Sequence, residues 1–332
     1  CTRYFSTYCS IFLSFFGGGS DYPGWYKKHG GQVLSTTINK HNYISCRYLP
    51  PFFEHNLRLV YSIVEEVKVR NDLDHPSARE VLKFLNLERD LEIHYDGDLP
   101  GRSGTGSSSS FTVGLLNTLY AFLGERVNSK RLAEEAIHIE QNLISETVGS
   151  QDQIAAAYGG FNHIKFNADG SFDVSKVEAD NSRINILDSR IMLFFTGISR
   201  YAETVAKTYV DDISNKDLQI HSMSSMVDQG IEIVEHGNLD DFGQLLHEAW
   251  QKKKELSSEV SNNDIDYIYE KAKKNGAIGG KISGAGGGGF MFFYVSEGRE
   301  EDLKEALKEL THVPFSFENE GSSIIFEENK ER

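Results

Sequence analysis

The segment Leu99-Pro-Gly-Arg-Ser-Gly-Thr-Gly-Ser-Ser-Ser-Ser110 constrains the fold most, because it runs without a break into apolar residues at helical spacing, Phe111 to Leu123. A Gly/Ser loop feeding a helix leaves unpaired backbone N–H groups at the positive end of the helix dipole, and such a terminus binds phosphate. Serine hydroxyls there can also ligate a hard cation. Composition alone would suit a flexible linker. Between a strand-like Leu91 to Tyr95 and a strongly periodic helix there is no room for a spacer, so phosphate binding is the expectation.

Two further glycine-rich segments flank it in the chain. Gly279 to Gly289 leads into the apolar run Phe290-Met-Phe-Phe-Tyr-Val295. Gly284, Gly286 and Gly289 satisfy G-x-G-x-x-G, but a dinucleotide fingerprint opens a helix and this one opens a strand. Lys281 completes no Walker A loop, since Asn275 and Ile282 occupy the first glycine and the Ser/Thr positions. What remains is backbone able to approach another segment or a ligand closely. Near the start, Phe16-Gly-Gly-Gly-Ser-Asp-Tyr-Pro23 ends a strand-like run in a tight turn that carries Asp21, which by itself is an ordinary Asp turn.

Around these segments, Phe12 to Phe16, Gln32 to Ile38, Asn42 to Tyr48, Phe161 to Phe166 and Arg183 to Phe195 read as strands. Ala78 to Leu85, Ser129 to Ile144, Lys216 to Glu235, Leu239 to Lys254 and Ile265 to Asn275 read as helices. The pattern predicts an α+β chain of two lobes, residues 1–185 rich in strands and 186–332 rich in helices, which suits a length of 332 residues. The net charge of −15 argues against nucleic acid or an anionic membrane surface as partner and favours a small-molecule site. Cys1, Cys9 and Cys46 form no CxxC pair, so neither a disulfide framework nor a zinc site is expected, and a reducing cytoplasm fits best.

Taken together, the glycine segments resemble the GHMP kinases, the superfamily of galactokinase, homoserine kinase, mevalonate kinase and phosphomevalonate kinase. Pro100, Gly104, Gly106 and Ser107 to Ser109 match P-x-x-x-G-L-G-S-S-[AS], with Thr105 where leucine is usual, and Lys281 to Gly288 match K-x-x-G-A-G-G-G. Between them, Gly149-Ser-Gln-Asp-Gln153 looks like the family's G-x-x-D-Q, and Glu140 stands twelve residues before Asp152. The likeness is strongest to the heptose 7-phosphate kinases of that superfamily. Gly18 and Gly19 stand where galactokinases carry glutamate and histidine, which speaks against galactose.

The resemblance implies a two-lobed fold with a ferredoxin-like second lobe, ATP and Mg²⁺ as cofactor and metal, and a phosphorylated sugar as acceptor. It implies Asp152 as the catalytic carboxylate; Gly104, Thr105, Gly106, Ser107, Ser108 and Ser109 at the ATP phosphates; and Ser108 with Glu140 at the metal. Asp21, Gly19, Arg102, Gly284 and Gly286 would meet the acceptor, with Lys281 and Gly287 in the late glycine motif. Arg102, Arg183 and Lys252 to Lys254 are the cations considered for the acceptor's phosphate. Arg102 is preferred because it lies on the loop, and the lysine run beside Trp250 reads as a solvated helix face. A kinase for L-fucose, a uronic acid or an isoprenoid alcohol, or a non-catalytic sugar and ATP binder, are the alternatives.

One position departs from the family. Its first strand normally reads P-x-R-[IV], and this chain has Ser10 and Phe12 at the proline and arginine. Cys1 to Cys9 is expected to lack the usual strand pattern. The expectation is a folded protein of weak activity that Phe12→Arg would accelerate, since losing one electrostatic stabiliser costs on the order of 10²-fold in rate.

Overall fold

Phe5, Thr7, Cys9, Ile11, Leu13 and Phe15 are all fully buried, the two-residue period of a strand with one face on a core. They belong to β1 (Thr2–Phe16), so the strand extends through the very residues expected to lack its pattern. The computed structural model describes residues 2–88, 90–101, 103–198 and 202–330. In chain order β1 is followed by α1 (Pro23–His29), β2 (Gly31–Tyr48), β3 (Leu57–Val60), β4 (Val64–Val67), α2 (Pro76–Phe84), β5 (Leu91–Gly97), α3 (Ser107–Leu123) and α4 (Ser129–His138). Next come α5 (Gln151–Tyr158), β6 (Phe161–Phe166), β7 (Phe172–Lys176), α6 (Asn181–Arg190), β8 (Ile191–Phe195), α7 (Ala202–Val210), α8 (Asp217–Glu235) and α9 (Leu239–Lys254). The chain closes with α10 (Asn263–Lys274), β9 (Ala277–Ile282), β10 (Phe290–Val295), α11 (Glu300–Ala306), β11 (Thr311–Val313), β12 (Phe317–Glu318) and β13 (Ser323–Lys330).

The first sheet runs β13-β1-β2-β5-β3-β4, with β6, β7 and β12 attached on the side of β2. The two segments expected as separate strands, Gln32 to Ile38 and Asn42 to Tyr48, are one strand, β2. Its first part pairs with β6 and its last with β5, and the register slip opposite Ser10 and Ile11 re-aims it between those partners. The second sheet is the antiparallel β11-β8-β10-β9, backed by helices, so the fold is α+β in two lobes. Strand β13 returns to pair with β1, which brings the end of the chain back to the first sheet. Arg183 to Phe195, expected as a strand, is helix α6 followed by β8. Ile184 and Leu187, three residues apart, serve one helix face, with Leu187 fully buried and Ile184 partly so, and only Ile191 onward is extended.

The lobes meet through aromatic rings and glycine backbone. Phe15, at the end of β1, packs edge-on against Phe242 of α9 and Phe292 of β10 with centroids 5.2 and 5.9 Å apart. Nearby, the loop 98–106 and the loop 283–289 touch backbone to backbone. Ser283 Oγ donates to the Gly104 carbonyl at 2.9 Å and the Phe290 N–H to that of Ser103 at 3.2 Å. A Cβ on Gly104 would lie 2.5 Å from the Ser283 carbonyl oxygen, and one on Gly284 would lie 2.6 Å from the Gly104 Cα. Both glycines also have φ in the left-handed region, +80° and +68°.

Gly284→Ala should therefore lower stability by about 1–3 kcal/mol, because the methyl group meets backbone that cannot swing aside and the φ is strained. Denaturant midpoints of the two proteins measure this. An unchanged midpoint would mean that the loops separate freely in solution.

Candidate active site

Helix α3 begins at Ser107, directly after Gly106 with φ +70°, and no side chain caps its first turn. Its free N–H groups thus open onto a cavity of about 290 Å³ lined by Gly104, Gly106 and Ser107 to Ser109 from this loop. The same cavity is lined by Asp21, Asp152, Lys281 and Gly284. The three glycine-rich segments, distant in sequence, therefore share one cavity. Thr105 is turned inward, its hydroxyl 3.3 Å from those of Ser103 and Ser107.

Asp21 is placed by the turn 17–22 and by the start of α5. The Gly19 N–H donates to Asp21 Oδ1 at 2.9 Å, and the Ser150 N–H to the Asp21 carbonyl at 2.9 Å. Gly149 is required here, because a Cβ at that position would run into the Asp21 carboxylate. Burial raises the Asp21 pKa, opposed by the hydrogen bonds from Gly19 and Gln151. Asp152, in the first turn of α5, keeps part of its surface open to the cavity. Its pKa is pushed well above the ordinary range by desolvation and by the charges of Asp21 and Glu140, against which Lys253 works.

Glu140 lies on a π-helical turn, Ile139–Leu143, that continues α4 and turns its fully buried side chain toward α3. Ser109 Oγ and Gln153 Nε2 donate to Glu140 Oε2 at 2.8 and 2.5 Å, while Oε1 is buried without a partner among the described residues. The serine bonded to Glu140 is Ser109; Ser108, one step around the helix, is exposed and lines the cavity. Ser14 Oγ and Gln151 Oε1, of two residues that line the cavity, are likewise buried acceptors with no partner among the described residues. Gly286 and Gly287 stand behind the loop, where the Gly287 N–H donates to the Val260 carbonyl at 2.9 Å.

The cations divide differently from expectation. Arg102 lies outside the described residues. Arg183 is consumed at the C-terminus of α8, donating to the carbonyls of Val234, Ile233 and Gly237. Lys252 and Lys254 are surface residues paired with Glu255 and Asp266, as a solvated face requires, whereas Lys253 between them is buried at the cavity. The spacing Phe242, Leu246, Ala249, Lys253 continues the apolar stripe of α9, and a lysine at a stripe position is the signal that a run of three lysines concealed. Lys281 is also buried, with Nζ donating to the Phe15 carbonyl at 2.9 Å, and desolvation brings its pKa down to about 8.

Residues 73–160 match the family model of the GHMP kinases N terminal domain, and residues 231–312 that of the GHMP kinases C terminal. The chain belongs to the GHMP kinases, and heptose phosphate, fucose, galactose and mevalonate kinases are among its relatives. It is 30% identical, over 93% of its own length and 95% of the other's, to a D-glycero-alpha-D-manno-heptose 7-phosphate kinase of Campylobacter jejuni subsp. jejuni. It is 25% identical to the bifunctional fucokinase/GDP-fucose pyrophosphorylase of Arabidopsis thaliana, covering 91% of this chain and 31% of that one. A D-glycero-D-manno-heptose 1-phosphate kinase structure from Bacteriodes thetaiotaomicron superposes with TM-score 0.78 at 23% identity, over 96% and 98% of the two chains, and supports the shared fold. Among the described residues no helix is long and apolar enough to cross a membrane.

The depressed Lys281 pKa carries a sign that can be measured. The charged ammonium is penalised in the folded state below about pH 8, and that penalty fades as pH rises toward the unfolded value of about 10.4, since the unfolded chain then binds more protons. Between pH 8 and 10 the stability of the wild type should rise relative to that of Lys281→Met. Thermal or denaturant midpoints of both proteins across this window test it, and a flat difference would rule it out.

Proposed function

We propose that the protein phosphorylates the anomeric hydroxyl of D-glycero-D-manno-heptose 7-phosphate, with ATP as donor. The observation that carries this is the convergence on one cavity of an uncapped helix N-terminus, the buried Asp21, the half-buried Asp152 and the buried Lys253 and Lys281, the equipment of phosphoryl transfer. The heptose itself is supported by the relative named for that substrate at 30% identity.

In this reading the N–H groups from Gly104 to Ser109 hold the β- and γ-phosphates, and Asp21 accepts hydrogen bonds from sugar hydroxyls. The anomeric oxygen bonds to the γ-phosphorus as the bond from that phosphorus to the β,γ-bridging oxygen breaks, and ADP leaves. Asp152 orients the hydroxyl and takes its proton, a task that a carboxylate with a raised pKa suits at neutral pH. Arg102 is the proposed partner of the acceptor's own phosphate.

The donors present fit Mg²⁺. Glu140 Oε1 is a buried acceptor with no partner among the described residues, and Ser108 offers a hydroxyl at the start of α3. Among the described residues no three His, Cys, Asp or Glu side chains gather into a metal cage, and magnesium characteristically needs only one or two protein ligands beside phosphate oxygens. When bound there the ion would neutralise phosphate charge.

Two expectations follow from these roles. Ser108→Ala and Glu140→Gln should each raise the magnesium concentration needed for half-maximal rate, and the double variant should show coupling between the two defects. Unchanged magnesium dependence would refute the shared ion. Asp152→Asn should lower kcat by roughly 10²–10⁴ while nucleotide still binds, with heptose 7-phosphate consumed much faster than galactose, fucose or mevalonate by the wild type. ADP-release assays measure both; near-normal turnover by the variant, or equal rates with unphosphorylated acceptors, would refute the respective assignment.

A further inference from the structure

Phe12 stands where the family resemblance puts an arginine, and its position in the cavity is specific. A Cβ built on Gly106 would touch the Phe12 ring and lie 3.4 Å from Asp152 Oδ2, so the ring, the phosphate loop and the carboxylate meet at one point. The apolar ring, 5% exposed, brings no charge there, and it helps to keep water from Asp152.

Lys253 lines the same cavity from the other lobe. Its side chain continues the buried stripe of α9 and is 7% exposed. The ammonium donates to the carbonyls of Ile282, at 3.2 Å, and Gly284, both in the late glycine segment that clasps the phosphate loop. An ammonium has three donors, so one remains for the cavity. Asp21 and Asp152 are the carboxylates that favour its charge, and burial with the nearby Lys281 opposes it. Lys281 also lines the cavity, but its Nζ is tied to the Phe15 carbonyl at the end of β1, and the carboxylate that favours its charge is Asp21 rather than Asp152.

We propose that Lys253 supplies the positive charge that position 12 lacks, facing Asp152 and the transferring phosphoryl group from the second lobe. This rests on the phosphoryl-transfer reading of the cavity and adds a cation to it. Lys253 exchanges no proton in the step. It offsets charge on the equatorial phosphoryl oxygens and on Asp152, held by loop carbonyls that cost no reorganisation at the moment of transfer.

Four proteins test this: wild type, Lys253→Met, Phe12→Arg and the double variant, with Lys253→Arg as the charge-conserving control. Each is assayed for transfer from ATP to heptose 7-phosphate and, without acceptor, for slow transfer to water. Lys253→Met should lower kcat by on the order of 10²-fold while KM for ATP moves less than about 3-fold, and Lys253→Arg should retain a substantial part of the rate. Phe12→Arg should accelerate Lys253→Met by a larger factor than it accelerates the wild type, because the two cations serve one charge. A Lys253→Met rate within about 3-fold of wild type overturns the proposal. So does a loss that Lys253→Arg shares fully and Phe12→Arg does not relieve, which would make Lys253 a strut for the glycine loop. If the wild type ignores heptose 7-phosphate but its transfer to water shows the same dependence, the acceptor assignment falls and Lys253 stands. If neither transfer depends on Lys253, the proposal falls whatever the acceptor.

Discussion

The contact of the Gly104 backbone with Ser283 and Gly284 is the constraint on which the site depends. It joins the phosphate loop of the first lobe to the loop between β9 and β10 of the second, backbone against backbone, with the Ser283 hydroxyl bonded to the Gly104 carbonyl. Any Cβ would hold the loops apart, and the lysines carried by the second lobe would then stand off from the carboxylates of the first. Gly289 repeats the arrangement, since a Cβ there would collide with the Ser103 carbonyl. The glycines act by letting two backbones share the space of one, and the aromatic packing of Phe15 on Phe242 and Phe292 keeps them in place.

That closeness creates an electrostatic problem inside a chain of net charge −15. Asp21, Asp152 and Glu140 are crowded with Lys253 and Lys281 in a volume from which water is largely excluded. Desolvation raises the pKa of each carboxylate and lowers that of each lysine, so burial moves the charged groups of both signs toward neutrality. Such an arrangement is costly to fold and is a reason to read function from it, because a stability-driven core would use apolar residues instead. The orphaned acceptors Glu140 Oε1, Ser14 Oγ and Gln151 Oε1 are consistent with groups that wait for a ligand.

What could be read from the chain was whatever the backbone itself demands. The glycine segments and the helix after Ser110 were legible because φ and close approach leave few residue choices, and Asp21 lies within one of them, whereas Asp152 was legible only through the G-x-x-D-Q of the resembling family. Glu140 was legible only through its distance from Asp152 in a resembling family. Its burial depends on a π-helical turn that no periodicity announces. Three of the readings that the structure changed have separable reasons. The first residues of β1 do alternate in burial, as Phe5, Thr7 and Cys9 show, yet with a polar Thr7 facing inward and Tyr4 and Tyr8 facing outward the alternation is not one of hydropathy. Helix α6 is short and its apolar residues merge with those of β8. Lys253 was hidden by Lys252 and Lys254, which are solvated as lysines usually are, although the stripe from Phe242 to Ala249 already pointed one lysine inward.

The central claim is that the cavity transfers the terminal phosphoryl group of ATP to the anomeric oxygen of a sugar phosphate. Phosphorus NMR of the purified protein with ATP, magnesium and D-glycero-D-manno-heptose 7-phosphate tests it most directly, because it identifies both products at once. ADP should appear together with a new resonance split by the anomeric proton of the sugar, in equal amounts. Inorganic phosphate as the only new phosphorus species beside ADP, or a phosphoryl group on any other sugar oxygen, would contradict it.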